Sequence, residues 1–292
     1  MNERKDDSPK PKGPGAGLRS AHYPEILRRR SDSIQWFEII TENFLGTYGR
    51  PRWVLEKVRQ DYPLAFHGVS LSIGSPEPID ETYLFLVRDL ITEFDPFLVS
   101  DHFCWTGFRA NNTHNLLPLP LNESSINIIV PKIERAQEIL GREILFENAS
   151  AYMKTQVDDI PEWDFISEVC QRTGCKLLLD LNNLYVTSVN FGIDPHEQLH
   201  KIPAQFVRQI HLAGFTDMGN YLFDTHSKAV HDHVWNLYTQ WLRLYGSCPT
   251  MIEWDEEIPP FEVLEGEAAK IAHLQNTTVQ PPANSRGASI EL

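Results

Sequence analysis

The chain has 292 residues, 41% of them hydrophobic, and a formal net charge of −14 at neutral pH. That length holds one substantial core, as a single α/β barrel or as two smaller domains. An acidic balance with no basic stripe excludes a broad nucleic-acid or anionic-membrane surface, but it leaves room for a local acidic site that holds cations.

Residues 1–16 are polar and rich in Pro and Lys, with no apolar stretch of the secretory kind, and are expected to form a disordered tail. Strand-length apolar runs follow at intervals of roughly thirty residues: "IQWFEII" (34–40), "LAFHGVS" (64–70), "FLVSDHF" (97–103), "EILFENA" (143–149), "KLLLDLN" (176–182), "FVRQIHLAG" (206–214) and "TMIEWDE" (250–256). Each is nearly unbroken in apolar character, the mark of a strand covered on both faces. Segments with helical spacing lie between them, so βαβ units and a parallel sheet are expected. A weaker run, "NYLFDTH" (220–226), supplies an eighth strand. The pattern predicts a (β/α)8 TIM barrel over residues 17–275, followed by a polar, disordered tail over 276–292. A doubly wound open sheet is disfavoured by the lack of GxGxxG after a first strand. No run of about 18 apolar residues exists, so no membrane partner is expected. Cys104, Cys170, Cys175 and Cys248 form no CxxC pair and read as reduced thiols of a cytoplasmic protein.

The runs end in metal-ligand residues. His67, His102, Glu147, Asp180, His211 and Glu253 close six of them, and Asp224 and His226 stand two apart at the weak eighth. In a barrel, C-terminal strand ends converge on one mouth, where active sites of this fold sit. Four carboxylates gathered there repel and desolvate badly unless cations neutralise them. A multinuclear metal site at the C-terminal mouth is therefore expected, with Asn182 offering a further carbonyl oxygen. Imidazoles and carboxylates without thiolate suit iron or manganese, with zinc as the alternative. Taken singly, each residue has a plainer reading: a hydrogen-bonded core histidine, a helix cap at Asp180, a buried ion-pair partner at Glu147. Their joint position carries the inference. Glu38 and Glu42 sit where the first run ends, and Glu42 and Asn183 are expected to support ligands rather than bind. His114 reads as a loop residue, in a loop that follows a strand end and could line the mouth. Cys104, two residues past His102, is the one thiol near the expected site. His231 and His233 read as a surface helix start. No catalytic residue beyond the metal ligands is expected.

Read in order, "GLRSAHY" (17–23), "TENF" (41–44), "HGVSLSIG" (67–74), "SDHFCW" (100–105), "LLPLP" (116–120), "FENASAY" (146–152), "LLLDLNNLYV" (177–186), "IHLAGF" (210–215), "DTH" (224–226), "VWNLY" (234–238) and "IEWDEEIP" (252–259) resemble the DUF692 family. Its members are multinuclear non-heme iron-dependent oxidative enzymes. The resemblance spans about residues 17 to 265 and implies a TIM barrel holding two or three irons of mixed Fe(II)/Fe(III) state, with dioxygen as co-substrate. It implies oxidation of a ribosomally made precursor peptide, most often at cysteine, with hydrogen removed from the β-carbon once the thiolate binds iron. A separate partner protein that recognises the peptide's leader is implied as well. Residue by residue, His67, His102 and Glu147 match ligands of one iron. Glu147, Asp180, His211 and Glu253 would surround a second, and Asn182, Asp224 and His226 would hold a third. The chain departs from the family in "SDHF", where SEHL is common, and in "DTHS", where a glycine often follows the histidine; neither change removes a ligand. Two rivals stand beside this reading: a zinc or manganese barrel hydrolase or isomerase, which needs no dioxygen, and a non-catalytic metal-binding protein.

Overall fold

A computed structural model of the chain describes residues 11, 13–108 and 111–278, without the side chains of residues 108, 111, 112 and 114. The expectations for residues 1–10, 12 and 279–292, and for the His114 side chain, lie outside the described residues, whereas 276–278, expected to be tail, belong to a helix that runs to Thr278. The strands are β1 (Gly15–Gly17), β2 (Trp36–Ile40), β3 (Leu64–His67), β4 (Leu98–His102), β5 (Cys104–Phe108), β6 (Asn111–Pro118), β7 (Leu145–Glu147), β8 (Lys176–Asp180), β9 (Val207–Leu212), β10 (Thr216–Asp217), β11 (Leu222–Phe223) and β12 (Thr250–Ile252). Eight of them close a parallel barrel in the order β1-β12-β9-β8-β7-β4-β3-β2. The helices are α1 (Tyr23–Arg28), α2 (Arg50–Asp61), α3 (Glu81–Phe94), α4 (Glu123–Leu140), α5 (Glu162–Thr173), α6 (Leu181–Asn190), α7 (Pro195–Leu199), α8 (Asp232–Tyr245) and α9 (Phe261–Thr278). None among the described residues is long and apolar enough to cross a membrane.

The eighth barrel strand is not the expected 220–226 segment. It is β1, a Gly-Ala-Gly strand that begins inside the stretch read as a tail, while Leu222–Phe223 pairs only with Thr216–Asp217 outside the barrel. The glycines of β1 answer to Trp36 on the neighbouring strand. A Cβ at Gly15 would lie 2.3 Å from the Trp36 ring, whose Nε1 donates to Gly13 O at 2.9 Å.

Along the barrel strands, side chains alternate between two environments, as the period of two requires. Phe37, Phe66, Val99, Phe146, Leu177, Leu179, Ile210 and Ile252 join the large core between strands and helices. Trp36, Ala65, Leu98, Leu145, Leu178 and Met251 form a separate apolar cluster inside the barrel. Two residues further along the same strands stand Glu38, His67, Ser100, Glu147, Asp180 and Glu253, all buried. The interior thus has an apolar floor with a polar ring above it.

Gly214, just past β9, packs against the backbone of Lys228 and Ala229. A Cβ there would lie 2.3 Å from Ala229 O and 2.5 Å from Lys228 O, both backbone atoms with little room to move. Gly214→Ala is expected to lower stability by about 1–3 kcal/mol, read as a lower midpoint in thermal melting.

Candidate metal centre

Register places the ring. His102 pairs with Glu147 across β4 and β7, and Asp180 with His211 across β8 and β9. Ligand-type atoms gather in three groups: His67, His102 and Glu147; Glu147, Asp180, His211 and Glu253; and His226, Glu253 and Asp255. Glu147 belongs to the first two and Glu253 to the last two.

The first group is built so that two bare nitrogens face a carboxylate. His102 Nδ1 donates to Gly68 O at 3.2 Å. His67 Nδ1 lies 2.8 Å from Ser100 Oγ, which itself donates to Phe66 O at 3.3 Å, so the His67 ring is the donor of that pair. Burial lowers the pKa of both imidazoles, so they are neutral and each Nε2 carries a lone pair. Both Nε2 atoms lie 3.3 Å from Glu147 Oε2. A proton on Glu147 satisfies only one of these two lone pairs, whereas a cation lying among the three groups satisfies both and the carboxylate.

In the second group, His211 Nδ1 is 2.8 Å from Glu253 Oε2 and 3.8 Å from Glu147 Oε2. Its other nitrogen, Nε2, lies 3.1 Å from Glu38 Oε1 across the barrel. Glu38 is anchored in turn by Gln209 Nε2, which donates to its Oε2 at 2.5 Å. A carboxylate holding the far nitrogen of a ligating histidine sets its tautomer and ring orientation. Burial disfavours the charged form of His211, but the carboxylates of Glu38, Glu253 and Glu147 outweigh it and raise its pKa well above the ordinary value. Burial pushes Glu147 well up and Asp180 up to about 7. Glu253 goes the other way: burial raises it, and the charges of His211 and His226 more than offset that, holding it well below the usual range.

Asp180 has two duties. Its Oδ1 accepts from Asn183 N at 2.6 Å and so caps α6, while Oδ2 is buried with no hydrogen-bond partner. Asn183 Nδ2 donates to Glu147 Oε1 at 3.2 Å. Glu42 is further back, accepting from Val69 N at 2.9 Å and Tyr83 Oη at 2.7 Å.

Asp224 and His226 are not on a strand, as the spacing suggested. They follow β11, and His226 takes a left-handed φ of +45°. Its carbonyl accepts from Asp255 N at 2.7 Å, which helps hold that uncommon backbone. Asn182 Nδ2 donates to Asp224 Oδ1 at 2.8 Å, and His226 Nε2 lies 2.7 Å from the same oxygen. So Asn182, Asp224 and His226 do meet. The opposite edge of the His226 ring, Nδ1, faces Glu253 Oε2 at 3.2 Å and Asp255 Oδ2 at 3.6 Å. Asp255, which the strand-end pattern passed over, lies two residues beyond Glu253 and is paired with Arg19. Cys104 is buried, and burial raises its thiol pKa well above the ordinary value, with Asp101 and Glu147 adding to the effect. It belongs to none of the three groups. His231 caps the start of α8, as expected for a helix start.

The residues fit metal ions. Glu147 Oε2, Asp180 Oδ2 and Asn182 Oδ1 are all buried without hydrogen-bond partners, and Glu147 and Asp180 belong to the candidate groups. Orphaned buried acceptors are rare, and a cation accounts for several at once.

A family model described as "RiPP precursor modification enzyme MbnB/TglH/ChrH" matches residues 13–276. A UPF0276 protein of Anaeromyxobacter sp. (strain Fw109-5) is 45% identical over 263 residues, covering 90% of this chain and 93% of that protein. One from Acaryochloris marina (strain MBIC 11017) is 42% identical over 256 residues, covering 88% and 92%. Among solved structures, D-psicose 3-epimerase from Clostridium cellulolyticum H10 with D-tagatose superposes with a TM-score of 0.57 at 9% identity, covering 91% of this chain and 96% of that one. Endonuclease IV from Thermus thermophilus gives 0.52 at 12% identity, covering 90% and 97%. Likeness at those identities is one of fold alone.

Glu38→Gln removes the charge behind His211 and is expected to weaken metal binding about 10–100-fold, measured by competition with a chelator. Asp180 binds its proton more readily folded than unfolded, because its pKa rises from 3.8 to about 7. The metal-free protein should therefore lose stability as pH rises from about 4 to about 7, and bound metal should reverse that loss. Thermal melts of chelator-stripped protein across pH check this, with Asp180→Asn expected to flatten the limb.

Proposed function

This chain belongs to the MbnB/TglH/ChrH family of RiPP precursor modification enzymes, and on that premise we propose that it oxidises a precursor peptide with iron and dioxygen, at a cysteine. The observation that carries the reading is the set of orphaned carboxylate and amide oxygens on Glu147, Asp180 and Asn182. Hard carboxylate oxygens with imidazole suit iron in both its ferrous and ferric states. Bound there, two or three irons would supply the binding and reduction of dioxygen, which no side chain can do.

The residues of the chain do the rest. His67, His102 and Glu147 would hold one iron; Glu147, Asp180, His211 and Glu253 a second; and Asn182, Asp224 and His226 a third, with Glu147 shared. Ser100, Gly68 and Glu38 fix the rings of His67, His102 and His211 through their far nitrogens. Glu42 lies behind them, and Asn183 steadies Glu147 from the side. The choice of a cysteine substrate is supported by the donor set of the ring. Its three groups are built from imidazole and carboxylate, and Cys104, which feels the Glu147 charge, is held as a neutral thiol. A substrate thiolate would meet no competitor from these groups. A separate protein that recognises the leader of the peptide is the expected partner.

Protein purified without chelator is expected to carry two to three irons per chain, by plasma mass spectrometry. With its peptide and partner it should consume dioxygen, and Asp180→Ala or His211→Ala should lose iron and product together. Zinc or manganese in place of iron after expression in iron-supplemented medium, with product formed anaerobically, would overturn this in favour of a hydrolase or isomerase.

A further inference from the structure

Behind the ring, between the start of α5, the body of α6 and α7, lies a cavity of about 30 Å³. Asn148, Glu162, Trp163, Asn183, Ser188 and Gln198 are among its walls. Two polar atoms from these walls, Trp163 Nε1 and Asn183 Oδ1, are buried with no hydrogen-bond partner. Both side chains are 4% exposed. One atom can only donate and the other can only accept, and a single molecule that both accepts and donates would satisfy the pair. About 10–15 Å³ of such space, with two to four polar partners, is enough for one water.

The Asn183 amide matters because of what its other end does. Nδ2 donates to Glu147 Oε1 at 3.2 Å and to Asn148 O at 3.0 Å. Turned over, the same amide would set an oxygen against the Glu147 carboxylate. We propose that the cavity holds an ordered water that accepts from Trp163 Nε1 and donates to Asn183 Oδ1, locking the amide so that it aims Glu147 at the metal ring. Glu162, half-buried on the α5 side, also lines the cavity and would offer an acceptor for the second hydrogen of that water. Trp163 and Glu162 are thereby positioning residues for the shared carboxylate. The water site is a property of the polypeptide; its effect on Glu147 rests on the metal reading above.

Crystal structures of metal-free and iron-loaded protein, at a resolution that reveals ordered water, test the site directly. A water within hydrogen-bond reach of Trp163 Nε1 and Asn183 Oδ1 is expected in both. Trp163→Phe should lose it and bind iron about ten-fold more weakly in chelator competition. Because Trp163 is buried, Glu162→Leu provides a second variant at a half-buried position and should weaken iron binding in the same direction. A dry wild-type cavity overturns the water site whatever metal is bound, and variants with unchanged iron affinity overturn its positioning role. A wet cavity in a protein that takes zinc and refuses iron supports the water site and overturns the iron assignment instead.

Discussion

A parallel strand turns alternate side chains inward, and in this barrel that two-residue step stacks a polar ring on an apolar floor. Trp36, Ala65, Leu98, Leu145, Leu178 and Met251 fill the lower interior. They exclude water from beneath Glu38, His67, Ser100, Glu147, Asp180 and Glu253, which follow them on the same strands. The charged groups therefore stand in a low-dielectric space that opens at the mouth, and everything else about the site follows from how that charge is balanced.

Without a cation, the ring balances itself by moving protons. Burial drives Glu147 and Asp180 toward their neutral forms, while surrounding carboxylates hold protons on His211 and His226. Glu253, lying between those two imidazoles, keeps its charge. His67 and His102 stay neutral on the other side. A divalent or trivalent ion replaces this uneven proton distribution with one charge shared by several ligands, and it uses the lone pairs that the proton arrangement leaves idle.

Most of the ring was legible in the sequence because its members end apolar runs, where a charged residue stands out against its neighbours. Seven of the eight barrel strands could be read in the same way. The missing one, Gly15–Gly17, has no large apolar side chain to register in a periodicity, since its place in the barrel depends on lacking side chains beside Trp36. A segment with more apolar character, 220–226, took its place in the count, although it closes only a two-residue pairing outside the barrel. Asp224 and His226 come together with Asn182 through a left-handed turn rather than through strand alternation. Glu38 and Gln209 reach His211 from inside the barrel, and contact across a closed sheet leaves no trace in local spacing. Asp255 was hidden by its neighbour Glu253, which already accounted for the end of that strand.

The double attachment of Asp180 narrows what can stand at that position. One of its oxygens closes the first turn of a helix, and the other faces the ring. Asparagine would keep the cap and surrender the charge. Glutamate would keep the charge but, one methylene longer, would draw cap and ligand apart. Aspartate is thus selected twice, by two demands with no chemistry in common. A screen for folded protein and a screen for metal uptake would both single out this residue, and an asparagine there, which keeps the cap, should fail only the second.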